Sequence, residues 1–195
     1  MIGFNIIRLV ARFLLLFVFR IKVVGYANME KNGRKIVCAN HTSNWDPVVL
    51  GAVSKSPLGF MAKAELFKNK FLSYLLRSIG AFPVNRGKGD LGAIKAAISR
   101  LHNEEIIAMF PEGTRVKKGM EVTPKSGAVM LAIKTKSPIV PINITSNYKW
   151  FSKVRITFGE PIKFVDYYDQ KPTVEQLHEL TLELMKTIKK LGEKE

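Results

Sequence analysis

The chain has 195 residues, 47% of them hydrophobic, 24% charged and 9 of them proline, which fits one globular domain and excludes a disordered, collagen-like or low-complexity chain. Lys and Arg number 31 against 16 Asp and Glu, a formal charge of +15 that attracts anionic partners without choosing among nucleic acid, an anionic membrane surface and a phosphorylated substrate. Cys38 is the single cysteine, which excludes an intrachain disulfide framework and a cysteine-ligated zinc, and three dispersed histidines with no HExxH spacing predict no metal site.

Residues 1–20 read MIGFNIIRLVARFLLLFVFR, with arginines inside the segment and no small-residue cleavage site after it, unlike a secretory signal. The uninterrupted apolar run, Phe13 to Phe19, is far shorter than the roughly 20 residues a spanning helix needs. Wound as a helix, Asn5, Arg8 and Arg12 form one narrow polar stripe, and Phe4, Ile7, Leu14 and Phe17 belong to the apolar surface covering the rest. This pattern predicts an interfacial amphipathic helix over 1–19, with those four residues as acyl or membrane contacts. A core helix with two charged residues at its rim is the competing reading of the same window.

Further along, IKVVGY (21–26) and KIVCAN (35–40) are β-rich and separated by turn-forming residues, so two strands are expected. HTSNWD then leads into a helix, with Asp46 as a plausible N-cap and Pro47 in the first turn. GFMAKAEL (59–66) starts as a strand, FLSYLLRSIG (71–80) reads as a buried helix, and AFPVNRG supplies a short extended piece and a loop. Residues 89–103 place Leu91, Ile94, Ala97, Ile98 and Leu101 on one helical face, and the apolar strand IIAMF (106–110) follows. A helix over 126–136, strands over 137–144 and 153–162, and a closing amphipathic helix through Val174, Leu177, Leu180, Leu184, Ile188 and Leu191 complete the chain.

Strands alternating with helices predict an α/β fold with a mixed, mostly parallel central sheet flanked by helices. Mixed direction is expected because KVRITFGE alternates whereas IIAMF is continuously apolar. The expected organisation is a membrane-associating helix (1–19) and one α/β domain (20–195).

His41 directly follows a strand, and Asp46 lies five positions on at the mouth of a helix. Such a pair can form a base and its holder, one ring nitrogen oriented by the acid and the other free to take a proton, although a surface turn and a helix cap also fit it. Glu112, Gly113 and Arg115 sit in the loop PEGTR after an apolar strand, Arg86 stands beside Gly87 in PVNRG, and Lys63 and Glu65 form a third polar island. Three basic loops can converge on one phosphate, or each can be a solvated turn. None matches the GxxxxGK[ST] pattern of nucleotide hydrolases. Cys38, inside an apolar strand, is expected in the core and not as an acyl carrier.

Asn40-His41-x4-Asp46, Lys63-x-Glu65-Leu66, Gly80 to Arg86, Phe110 to Arg115 and Ile139-Val140-Pro141-Ile142, in this order, resemble the four-block signature of the glycerolipid acyltransferases, most closely their bacterial 1-acylglycerol-3-phosphate branch. The resemblance covers roughly residues 20 to 160. It implies transfer of a fatty acyl group from a thioester, acyl-ACP or acyl-CoA, to the free hydroxyl of lysophosphatidic acid, giving phosphatidic acid. It implies His41 as general base and Asp46 as the acid that orients it, and assigns Arg86, Glu112, Gly113, Arg115 and Lys63 to the acceptor phosphate. Co-substrates aside, no cofactor and no metal enter the scheme. Oxyanion donors are expected among the backbone amides of the His41 to Asp46 loop or a nearby basic group. The expected partners are lysophosphatidic acid, the acyl carrier protein or coenzyme A thioester and an anionic membrane surface, with no nucleic acid. The expected location is the cytoplasmic face of the cell membrane, peripheral or monotopic. Two alternatives stand beside this reading: the same chemistry on glycerol-3-phosphate or another lysophospholipid, and a non-enzymatic basic membrane-binding module.

Overall fold

The computed structural model describes residues 2–30, 33–78, 80–84, 91–117 and 119–193; the side chains of residues 2–5, 7, 8, 11, 16, 30, 75 and 78 lie outside that description. In chain order the elements are α1 (Ile2–Val18), β1 (Arg20–Val24), α2 (Ala27–Glu30), β2 (Lys35–Ala39), α3 (Trp45–Val53), β3 (Leu58–Lys63), α4 (Lys70–Ser78), β4 (Phe82–Val84), α5 (Leu91–His102), β5 (Ile106–Met109), α6 (Gly127–Thr135), β6 (Ile139–Thr145), β7 (Lys153–Phe158) and α7 (Val174–Glu193).

The strands form one sheet in the order β1-β7-β6-β2-β5-β3-β4. All neighbours pair in parallel except β6 and β7, so β1 and β7 run against the other five strands. The mixed, mostly parallel sheet expected from the alternation is therefore present, and KVRITF is the strand that reverses direction. β2 shows why its sequence is apolar throughout. Val37 and Ala39 point into a core layer with Leu15, Phe19, Val49 and Leu50 of the α1 and α3 side, while Ile36 and Cys38 point into the opposite layer with Ala97, Leu101, Val129 and Leu184. Successive side chains of a strand alternate in direction, and a strand covered on both faces must be apolar at every position.

Several expectations need correction. The 71–80 segment is not a buried helix: α4 exposes Phe71 and Tyr74 to 78% and 72%. Its apolar residues are amphipathic at helical spacing, with Leu72 and Leu76, four apart, turned partly inward. Leu91 and Val174, placed on core faces by their spacing, instead stand exposed in the first turns of α5 and α7. The 153–162 strand ends at Phe158, and only an isolated bridge from Ile162 to Ile139 continues it.

α1 has a buried side and an exposed apolar side. Leu15, with Phe19 just beyond the helix, is buried in the core beside α3, whereas Ile6, Leu9, Val10, Phe13, Leu14 and Phe17 are exposed. The side chains of Phe4 and Ile7 lie outside the described residues. Among the described residues, no helix is long and apolar enough to cross a membrane.

Candidate active site

Parallel pairing of β2 and β5 sets Cys38 opposite Met109. Three residues further along each chain stand His41 and Glu112, so the sheet register brings the two loops side by side at the carboxyl ends of the strands, where open α/β sheets place their sites. Asn40 extends the pairing beyond β2. Its side-chain amide donates to the Ile144 carbonyl at 3.0 Å and its side-chain oxygen accepts the Ile144 N–H at 2.7 Å, which fixes the strand end on the other flank.

His41 Nδ1 lies 2.9 Å from Asp46 Oδ2. Asp46 is fully buried, and the same oxygen accepts the amides of Thr42 and Ser43, each at 2.7 Å, while Oδ1 accepts the Tyr148 hydroxyl at 2.6 Å. With three further donors aimed at it, the carboxylate acts as acceptor toward the imidazole as well, so Nδ1 carries a proton, and in the neutral ring Nε2 is the nitrogen with the lone pair. The His41 ring also stacks on Phe110, with centroids 4.2 Å apart and planes inclined by 21°. Hydrogen bond and stack together fix the plane of the imidazole.

This arrangement corrects the capping role expected for Asp46. Asn44 occupies the N-cap position of α3 without a side-chain cap, and Asp46, in the first turn, reaches back to the loop amides. Those amides are consequently not free oxyanion donors. The N–H groups of His41, Thr42, Ser43, Trp45 and Asp46 are engaged by Glu112, Asp46 (twice), the Ser43 hydroxyl and the Ser43 carbonyl.

Glu112 is buried, and its Oε2 accepts the His41 N–H at 2.7 Å. Burial, reinforced by the negative charge of Asp46, pushes its carboxyl up to about 7 against the opposing pull of the His41 N–H. Glu112 thus ties the β5 loop to the backbone of His41. Two more bonds lock the loop: the Val116 N–H donates to the His41 carbonyl at 2.8 Å, and the Lys125 N–H to the Pro111 carbonyl at 2.7 Å. Gly113 has φ +68°, and a Cβ there would meet the Lys125 side chain at 3.1 Å, so the glycine serves both the turn and the close passage of that lysine.

Arg115 is exposed next to Val116, with no hydrogen bond or ion pair to any described residue. Lys63 ends β3 at the same sheet edge, half-exposed and paired with Glu65 at 3.3 Å. Its register partner Val84 ends β4, after which the chain enters residues 85–90; Arg86 lies outside the described residues. The sheet therefore gathers His41, Asp46, Glu112, Gly113, Arg115 and Lys63 at one edge. A cleft of about 620 Å³ lined by Tyr26, Met29, Lys35, Lys55 and Ile106 opens at the other edge, where β2 and β5 begin. Cys38 is fully buried, and desolvation raises its thiol well above the ordinary range, which removes it as a nucleophile.

Sequence reasoning missed Tyr148 and Lys125. Tyr148 stands 102 residues from Asp46, and no local spacing ties them. Burial and its bond to the Asp46 carboxylate raise the Tyr148 hydroxyl above the usual phenol range, so it remains a donor. Lys125 passes over Gly113, a contact that the tolerance of that turn for glycine alone did not reveal.

An α/β domain with a histidine–aspartate pair and basic residues at the carboxyl end of its sheet is the frame in which the comparisons with known proteins fall. Residues 20–145 match the family model described as Acyltransferase, and the chain belongs to that family. It is 33% identical over 180 residues to the 1-acyl-sn-glycerol-3-phosphate acyltransferase of Bacillus subtilis, covering 89% of each chain. A relative of the same description from Streptococcus pneumoniae is 33% identical over 146 residues, covering 71% of this chain and 53% of its own. The crystal structure of the 1-acyl-sn-glycerophosphate (LPA) acyltransferase of Thermotoga maritima superposes with a TM-score of 0.74 at 25% identity, covering 97% of this chain and 79% of that one.

Proposed function

We propose that the protein is a 1-acylglycerol-3-phosphate O-acyltransferase that moves a fatty acyl group from acyl-ACP or acyl-CoA to the 2-hydroxyl of 1-acyl-sn-glycerol-3-phosphate, giving phosphatidic acid. The observation that carries this reading is the oriented, largely enclosed imidazole of His41, its Nδ1 held by Asp46 and its ring stacked on Phe110. Nε2 takes the hydroxyl proton as the oxygen attacks the thioester carbonyl, and Asp46 stabilises the resulting imidazolium. Collapse of the tetrahedral adduct expels the thiolate, to which His41 returns the proton. Positioned proton transfer of this kind contributes roughly 10²- to 10⁴-fold.

Arg115 and Lys63, with Arg86, would hold the acceptor phosphate, and Glu112 with Gly113 would shape the loop that presents Arg115. The scheme uses no cofactor or metal. The acceptor is a lipid, so the working place is the cytoplasmic face of the cell membrane, with the protein peripheral or monotopic and α1 in contact with the anionic surface. The test is a mass-spectrometric assay offering several lysolipids with acyl-CoA and acyl-ACP in parallel. Phosphatidic acid from lysophosphatidic acid is the expected product; preferential acylation of glycerol-3-phosphate or of a headgroup-bearing lysolipid would replace the acceptor assignment, and no acyl transfer at all would overturn the reading.

A further inference from the structure

The turn joining β6 to β7 carries two large aromatic side chains, Trp150 and Phe151, exposed to 71% and 56% and packed edge to face with centroids 6.1 Å apart. Bare aromatics at a turn tip add nothing to the core and mark a contact surface. The backbone beneath them is firmly held. The Phe151 N–H donates to the Val18 carbonyl at 2.7 Å, the Arg20 N–H to the Ser152 carbonyl at 2.9 Å, and Arg20 Nε to the Phe151 carbonyl at 3.0 Å. Tyr148 and Phe151 have φ of +51° and +57°, a conformation that bulky L residues rarely adopt. Such backbone persists where surrounding bonds over-determine it, and here they display the two rings at the tip.

The same bonds fasten the tip to the carboxyl end of α1, whose exposed residues include Phe13, Leu14 and Phe17. Lys149 and Arg20 flank the aromatics on the exposed surface, and no Asp or Glu occurs between Glu121 and Glu160. Aromatic rings with cations beside them match the boundary between acyl chains and anionic headgroups.

We propose that the Ser146–Ser152 turn is a second lipid-contacting element, inserting Trp150 and Phe151 into an anionic phospholipid bilayer beside α1. The acid-free stretch and the net charge of +15 call for an anionic partner, and the exposed aromatics beside the exposed apolar residues of α1 favour a bilayer over an acidic protein. The turn also carries Tyr148, whose hydroxyl holds Asp46, and Phe19 bridges Tyr148 and Trp45 with edge-to-face contacts at 5.5 and 5.4 Å. Seating the turn in lipid therefore brings the His41–Asp46 pair to the surface from which a lipid acceptor is drawn. The proposal rests on the acyl-transfer reading for that purpose only, since its test reads binding without turnover.

Trp45 and Trp150 are the only tryptophans, so W45F makes Trp150 the sole indole reporter in the full chain. With vesicles of phosphatidylglycerol and phosphatidylcholine, Trp150 emission should shift to the blue and be quenched by acyl-chain bromination. W150S/F151S should lower vesicle affinity by about tenfold or more, as expected for loss of buried aromatic surface, with W150S alone as the milder variant should F151S disturb folding. Turnover of a short-chain soluble acceptor should be unaffected. Unquenched Trp150 in protein that co-floats with vesicles, or affinity of a folded W150S within twofold of the parent, would overturn the proposal. Quenching without acyl transfer to any lysolipid would instead uphold this contact and overturn the enzymatic reading.

Discussion

Replacing Asp46 by asparagine separates the charge of the orienting residue from its geometry. Three donors converge on Oδ2: His41 Nδ1 and the amides of Thr42 and Ser43. An asparagine that turned its NH2 toward them would set a donor against two fixed backbone N–H groups. Its oxygen is therefore held at the Oδ2 position, and its NH2 faces the Tyr148 oxygen, which can accept by rotating its own proton away. His41 keeps its Nδ1–H tautomer. What is lost is the negative charge facing the imidazolium. Hydrogen bonds to charged groups contribute about 1.5–3 kcal/mol and neutral ones about 0.5–1.5 kcal/mol, so the difference of about 1–1.5 kcal/mol corresponds to roughly a 5- to 13-fold lower kcat. His41→Ala removes the base itself and should cost about 10²-fold or more. The assay is steady-state phosphatidic acid formation from lysophosphatidic acid, with KM for the acceptor and thermal unfolding measured alongside. KM should hardly move in D46N. A folded D46N as inactive as H41A would refute the argument that the loop amides preserve the tautomer, and a wild-type kcat would refute any role for the buried charge.

Arg115→Ala should raise KM for lysophosphatidic acid far more than it slows hydrolysis of the acyl thioester in the absence of acceptor, because an exposed cation free of described partners is lost from the acceptor side only; equal losses in both reactions would mark it as structural. Glu112 holds its proton to about pH 7 in the folded protein and releases it near 4.5 when unfolded. The folded state thus binds more protons across that window, and this group makes stability fall as pH rises from 4.5 to 7. Glu112→Gln, which can still accept the His41 N–H, should flatten that fall when denaturant midpoints are compared at pH 5 and 7.5; an unchanged difference between the two pH values would show that Glu112 is not the titrating group. Removing residues 1–13, which spares the buried Leu15 and Phe19, should weaken vesicle co-flotation, with the salt-sensitive part amounting to roughly 1 kcal/mol per basic group removed. Undiminished co-flotation would move the membrane contact away from α1.

Local pattern alone was enough for most elements of this chain, and it placed His41 and Asp46 at one strand-to-helix turn. Continuously apolar text identifies β2 and β5, because a strand covered on both faces leaves almost no polar position. The five-residue spacing of His41 and Asp46 left a surface turn and a helix cap open, and the fold brings the two side chains to 2.9 Å. Tertiary structure decided whatever depends on distant neighbours. Helical period alone could not tell that α4 shows Phe71 and Tyr74 to solvent, since only the layer beneath it says which face is covered. The family resemblance assigned Glu112 to the acceptor-phosphate region; that its carboxyl also accepts the His41 N–H follows from the parallel register of β2 and β5, which no local pattern gives. Tyr148 is beyond any local signal: it meets Asp46 because β6 runs parallel to β2 and carries the chain to the same edge of the sheet, 102 residues later. Short-range periodicity encodes elements because their hydrogen bonds and burial repeat along the chain, whereas the contacts that complete the site depend on the order of strands, which one chain's pattern does not specify.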